Sequence, residues 1–287
     1  MIAELAQEAL LEEVYTTPKP GLVDCRDTGA HKDMTCSSFE KSAAAIAPYI
    51  AAMYELGKSW TAAPWELFGM LRPMGLEAEG AMLDATDGVN THKGAIFTFA
   101  VLAAAAGQCA AQGTVSAQDI GAYAARMTCN PIEQEFTAMR SRSPRTHGET
   151  LYRRYGIKGV RGQAQQGFPV ITNRLYPRLQ SLRSQGYDSQ SVNVQLLLES
   201  MAVLEDTCIL SRGSIGDLYW IQKRAAALLA GGDVFVLHEE QKLLDFNGAC
   251  VQRNLSPGGS ADFLAAALFL EKIIRRVPYE RSGGYAG

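Results

Sequence analysis

Asp24, Asp33, Asp206 and Asp262, with Lys19, Lys93, Arg161 and Arg212, all stand at polar, glycine-bearing junctions between apolar stretches. Their types point to one chemistry. Carboxylate oxygens suit Mg²⁺, and lysine and arginine suit phosphates. The chain shows no Ser-His-Asp or thiol-nucleophile pattern and no Walker Gly-x-x-x-x-Gly-Lys sequence. Residue type and spacing therefore reach a protein that binds a phosphorylated ligand, with Mg²⁺ as its companion.

The densest junction is Pro18 to Asp33, which carries Lys19, Gly21, Asp24, His31 and Asp33. Pro18 and Pro20 deny this segment a helix, because each lacks an N–H and restricts the residue before it. A solvated surface loop is the alternative reading of the same composition. The second junction, Gly88 to Gly94, holds Asn90, Thr91, His92 and Lys93 directly before the most apolar stretch of the chain. A helix beginning there offers free N–H groups to an anion, although Asn90 or Thr91 acting only as a cap fits equally. The third, Lys158 to Gly162, sets Arg161 and Gly162 where a guanidinium can fork onto a phosphate. The fourth pairs Asp206 with Arg212, as base, metal ligand or plain ion pair. The fifth, Ser256 to Asp262, is a turn whose Gly258 and Gly259 can cradle phosphates and whose Ser260 can cap the helix carrying Asp262.

Helices must position these junctions. Helical spacing of apolar residues is expected over Glu4–Val14, Ser37–Leu56, Pro64–Leu71, Gly75–Thr86, Gly94–Ala111, Ser116–Met127 and Asn130–Arg140. It returns over Leu151–Tyr155, Leu175–Gln185, Ser191–Leu204, Gly216–Ala230, Val236–Asn254 and Ala261–Ile274. Pro73 is expected to break one helix and Pro48 to kink another. Ser37 with Glu40 reads as a capping box, Ser116 as a second cap, and Arg140–Arg145 as a mobile connector. Four glycines bracket a loop around Arg161, and alternating β-branched runs are almost absent. The reading is an all-α, many-helix bundle, one domain over residues 1–287, with its polar loops converging on one cleft.

Composition narrows the function classes. Apolar residues make up 47% of the 287 residues and charged ones 20%, ordinary for a soluble globular protein. A net charge of −3 argues against a sequence-blind nucleic-acid binder. Six scattered cysteines without Cys-x-x-Cys or zinc spacing fit a reducing, cytoplasmic compartment. The N-terminus has acids where a signal peptide would have a basic region. Gly94–Ala111 carries no charge, but its many alanines read as a buried core helix and not as a membrane span.

At these junctions the sequence resembles the triphosphoribosyl-dephospho-CoA synthases. The resemblance is carried by Pro18–Asp24, Gly29–Met34, Gly88–Phe97, Gly159–Pro169, Asp206–Gly213 and Asn254–Leu264, in the family's order. It implies an all-helical enzyme that moves the triphosphoribosyl group of ATP onto 3′-dephospho-CoA and releases adenine. The product would be the prosthetic-group precursor for the acyl carrier protein of citrate lyase or malonate decarboxylase, used next by the enzyme that loads that carrier. An α-linked product from a β-nucleotide implies one inverting displacement, which needs a base for the hydroxyl and a proton for the leaving adenine.

By residue type, Asp24, Asp33, Asp206 and Asp262 are expected to hold Mg²⁺ or act as base. His31 and His92 would assist proton transfer or serve structurally. Lys19, Lys93, Arg161 and Arg212 would bind phosphates, with Gly21, Asn90, Thr91, Gly162, Ser256, Gly258, Gly259 and Ser260 shaping the substrate site. The sequence departs from the family at Gln163, Cys208 and Ser214, where Glu, Asn and Gly are usual. Two rival readings are a Mg²⁺-dependent all-α ribosyl glycohydrolase and a non-catalytic nucleotide- or CoA-binding protein.

Overall fold

Apolar residues at helical spacing dictate how this chain buries itself. The computed structural model describes residues 1–139, 141–234 and 240–277, and no strand occurs among them. In chain order the helices are α1 (Ile2–Val14), α2 (Cys36–Ser59), α3 (Pro64–Ala85), α4 (Lys93–Ala111), α5 (Ala117–Met139), α6 (His147–Tyr155) and α7 (Gly159–Gln165). They continue with α8 (Tyr176–Ser184), α9 (Ser189–Met201), α10 (Thr207–Arg212), α11 (Ile215–Leu229), α12 (Glu240–Gln252) and α13 (Gly258–Arg276). A π-helical turn, Val170–Leu175, runs into α8. The all-α expectation holds.

The axis of the fold is α4. It is apolar on every side, so it must lie at the centre, and α2, α3, α5 and α13 surround it. Among the described residues α4 alone is long and apolar enough to cross a membrane, yet 72% of that stretch is buried inside the fold. Alanine and glycine are what allow neighbours to come so close. A Cβ added at Gly57 of α2 would lie 2.1 Å from the Ala104 carbonyl oxygen, and one at Gly107 of α4 would lie 2.1 Å from that of Tyr54. On the far side Phe99 stacks on Phe269 of α13, with ring centroids 4.6 Å apart.

The structure corrects the sequence reading where packing overrides a local signal. Pro73 does not break α3, because Gly69, whose carbonyl loses its partner, is exposed and can be hydrated. Pro131 likewise lies inside one continuous α5, whose buried stripe of Met127, Ile132, Phe136 and Met139 runs through it. The cap of α2 is Thr35 with Ser38, and Glu40 instead accepts from the Tyr15 hydroxyl at 2.6 Å. Ser116 receives the Asp119 N–H, as expected. The segment around Arg161 is helical (α7), and Asp206 starts a short helix, α10, that apolar spacing did not show.

Of the basic connector, Arg140 lies outside the described residues, and the rest is tied down. Arg142 forks onto Glu149 at 2.7 and 2.9 Å, and this guanidinium together with the Arg145 N–H draws the Glu149 carboxyl down to about 2. The expected helix start at Val236 also lies outside the described residues. Because the α2–α4 seam has no room for a methyl group, Gly107→Ala is expected to cost about 1–3 kcal/mol of unfolding free energy in denaturant titration.

Candidate active site

A cleft of about 310 Å³ opens where α1, the Pro18–Asp33 loop and the N-terminal ends of α4, α10 and α13 meet. Lys19, His31, Asp33, Asn90, Thr91, His92, Lys93, Arg212, Ser256, Gly258 and Asp262 all line it. Polar junctions far apart in the chain therefore share one wall. Gly21, Asp24, Asp206, Gly259 and Ser260 do not line the cleft but form the layer that shapes it. Arg161 lines a different cavity, on α7, and Gly162 is buried beside the Lys158 side chain.

The shaping layer is built on two saturated carboxylates. Asp24 accepts from the Thr17 hydroxyl at 2.8 Å and from the N–H groups of Lys19, Arg26 and Asp27 at 3.0, 2.7 and 3.1 Å. Asp206 caps α10 through the Cys208 N–H at 2.9 Å. It also accepts the Gly259 N–H at 3.2 Å, the Ser260 N–H at 2.8 Å and the Ser260 hydroxyl at 3.1 Å. A carboxylate has about four lone-pair directions, and in both aspartates four donors take them. Gly21 belongs to the same scaffold: at φ +75° a Cβ there would lie 2.4 Å from the Leu255 carbonyl oxygen.

Asp262 differs from both. Its carboxylate rests on the N-terminus of α4, where a Cβ on Gly94 would come 2.1 Å from Oδ2 and the Ala95 N–H donates to it. Burial, then the nearby Asp206 and Glu13 carboxylates, push its carboxyl well above the usual range. Burial also raises Asp206, against the pull of its donors. Asp33 is the other carboxylate of the four on the cleft wall, with its side chain 62% exposed.

The cations divide by environment. Lys19 is buried, donating to Glu13 Oε1 at 2.5 Å and to the Glu13 carbonyl at 2.9 Å. Glu13 was missed from sequence, though it falls four residues after Ala9 on the buried stripe of α1. Lys93 is exposed and pairs with Glu79 at 2.8 Å. Arg212 donates to the Ala30 carbonyl at 2.9 Å and to His31 Nδ1 at 3.0 Å. Arginine can only donate, so His31 Nδ1 accepts and its Nε2–H donates to Ser256 Oγ at 2.8 Å. Burial and then Arg212 lower His31 to about 4.

His92 is buried edge-on to Phe39, with Nδ1 2.6 Å from Ser42 Oγ. Burial and then Lys19 bring it to about 3. Its Nε2 and the neighbouring Thr91 Oγ1 are buried polar atoms without a protein partner, and both residues line the cleft. Leaving such atoms unpaired costs about 1–3 kcal/mol each, which a ligand in the cleft would relieve. Asn90 Oδ1 receives the Lys93 N–H, the first of α4, at 3.2 Å. Of the positions that depart from the family pattern, Cys208 lines the cleft and Gln163 accepts the Val170 N–H at 3.4 Å. Ser214 forms a capping box with Asp217 at the start of α11.

Residues 1–280 match the family described as ATP:dephospho-CoA triphosphoribosyl transferase. The chain belongs to that family. It is 40% identical over 271 residues to the 2-(5″-triphosphoribosyl)-3′-dephosphocoenzyme-A synthase of Escherichia fergusonii, covering 94% of this chain and 89% of the relative. Probable synthases of the same name from Salmonella gallinarum and Vibrio cholerae serotype O1 are 40% and 38% identical, covering 93% and 96% of this chain and 88% of each relative. No solved structure matches.

For this triphosphoribosyl transferase family member, the two lowered histidines set a pH dependence. Their folded values, about 4 and about 3, lie below the ordinary 6.5, so the unfolded chain takes up protons first as pH falls. Their contribution to stability is full above 6.5 and is lost toward 4. Denaturation midpoints measured from about pH 7 down to about pH 4 should therefore fall less steeply in His92→Gln than in the wild type.

Proposed function

We propose that this chain transfers the triphosphoribosyl group of ATP to the 2′-hydroxyl of 3′-dephospho-CoA, with loss of adenine. The observation that carries this reading is the make-up of the cleft. A buried lysine, two unpartnered polar atoms and a carboxyl raised well above its usual range face one space. The family match supplies the reaction class.

The bond between the acceptor oxygen and C1 of the donor ribose forms as the bond from C1 to the adenine nitrogen breaks. The hydroxyl loses a proton, adenine gains one, and the phosphate chain stays intact. Asp262, whose protonated form its burial favours, gives the proton to the departing adenine. Asp33, the exposed carboxylate of the wall, takes the proton of the attacking hydroxyl, Glu13 being held by Lys19, and carboxyl pairs of this kind serve inverting displacement at a sugar carbon. Lys19, Lys93 and Arg212 receive the triphosphate, with Ser256 and Gly258 beside it. Asn90, Thr91 and His92 supply neutral hydrogen bonds to the ribose and base. Asp24, Asp206, Gly21, Gly259, Ser260 and His31 keep the walls in place.

Asp24 and Asp206 have no oxygen direction left for a metal, so the four aspartates do not form a ready-made Mg²⁺ cage. Among the described residues no group of three or more His, Cys, Asp or Glu is placed to share an ion. Mg²⁺ is proposed to arrive on the phosphates of ATP as part of the substrate, as is common for this ion. The product would pass to the enzyme that loads an acyl carrier protein of citrate lyase or malonate decarboxylase. All six cysteines are free, which supports work in the reducing cytoplasm.

Adenine release from ATP is expected to require dephospho-CoA; equal release without it would mean hydrolysis and overturn the reading. Asp262→Asn should lower turnover with ATP by about 10²–10⁴-fold. The N7-methyl analogue of ATP, whose cationic base leaves without protonation, should restore most of that loss. Wild-type turnover of ATP in the variant, or no recovery with the analogue, would remove Asp262 from the acid role. Because the raised carboxyl of Asp262 makes its ionised form costly in the fold, that cost grows as pH rises above the ordinary 3.8. Asp262→Asn should therefore melt higher than the wild type at neutral pH, with the gain vanishing toward 3.8.

A further inference from the structure

The cleft of about 310 Å³ is too small for ATP and dephospho-CoA together. A second cavity, of about 240 Å³, lies along the same helix. Asn90 to Gly94 face the first cavity, while Ile96, Phe97, Ala100 and Val101 face the second. At about 1.5 Å of rise per residue, the two are separated by about one turn of α4. The Lys93–Glu79 ion pair joins them, Lys93 belonging to the first wall and Glu79 to the second.

The second cavity has an uneven character. Its floor is Leu71, Ile96, Val101 and Ile132, all buried. Its charged groups are nearer water: the side chains of Arg72 and Arg161 are 51% and 35% exposed, and both pair with Glu135. None of its lining side chains is a neutral hydrogen-bonding one, so the amides of a bound chain would bond only at the charged rim of Arg72, Glu79, Glu135 and Arg161. A slender, uncharged chain leading from a diphosphate suits it, with methyl and thioethyl groups on the floor and the anion by the arginines.

We propose that this cavity receives the pantetheine arm of dephospho-CoA, leaving the acceptor ribose to reach the cleft past Lys93. The proposal rests on the transfer reaction proposed above. It also accounts for Arg161, which the fold places away from the cleft.

Gly75 gives a clean test. It lines the cavity from within α3, and a Cβ built there meets nothing within 4 Å. Gly75→Phe therefore fills the space from a position that helical backbone tolerates. The KM for dephospho-CoA is expected to rise about ten-fold while that for ATP stays within about two-fold. ADP, an acceptor that keeps the diphosphate but lacks pantetheine, should be used equally by both proteins. An unchanged KM for dephospho-CoA, or a raised KM for ATP, would overturn the proposal.

A second measurement needs no substitution. Free pantetheine should inhibit the wild type competitively against dephospho-CoA, and competition with ATP or no inhibition would overturn it. If the wild type transfers nothing, the reaction itself is wrong. Calorimetric binding of dephospho-CoA, expected in the wild type and weakened about ten-fold in Gly75→Phe, then decides the cavity alone.

Discussion

One buried carboxylate, Asp206, joins the starts of α10 and α13, and the cleft exists because it does. Helix N-termini leave their first N–H groups unpaired, and two such ends would repel as partial positive charges if brought together bare. Asp206 accepts from both, through Cys208 on one side and Gly259 and Ser260 on the other. The same join sets Arg212, Ser256 and Asp262 on a common wall. Asp24 performs the matching task across the cleft, folding the proline-bounded loop around four donors of its own.

This construction crowds negative charge around Asp262, the residue proposed as the acid. Asp206 and Glu13 lie close enough to Asp262 to help raise its carboxyl. Glu13 is compensated by Lys19 and Asp206 by its donors, whereas Asp262 has a single backbone donor. Burial therefore resolves the conflict at Asp262 by favouring its protonated form. Thr91 Oγ1 and His92 Nε2 show the same trade. Their unpaired state lowers the stability of the empty protein and leaves hydrogen-bonding capacity for a guest.

Much of this was legible in the sequence because helices announce themselves through apolar spacing, and junctions through glycine, proline and charge. The central place of α4 followed from a stretch with no polar face. Lys19, Asn90 to Lys93, Arg212 and Asp262 do share one cleft, whereas the junction of Arg161, expected to join them, lies on a different cavity. Which aspartates line the cleft was not legible, because residue type does not reveal how many N–H groups surround a carboxylate. Asp24, Asp206 and Asp262 look alike as letters and differ only in donors that folding brings from elsewhere. Glu13 was hidden for the opposite reason: it lies on an ordinary amphipathic helix, and only its place on the buried stripe gave it away. Pro73 and Pro131 misled because local chain stiffness is a weaker force than a continuous apolar face.

The join at Asp206 can be read directly by amide hydrogen exchange. First-turn amides of a helix ordinarily exchange fast, so the N–H groups of Cys208, Gly259 and Ser260 should be protected together in the wild type. In Asp206→Ala, which removes both acceptor oxygens, all three should exchange far faster, while amides at the centre of α4 keep their protection. Equal protection of the three in both proteins would contradict the claim that this carboxylate assembles the cleft.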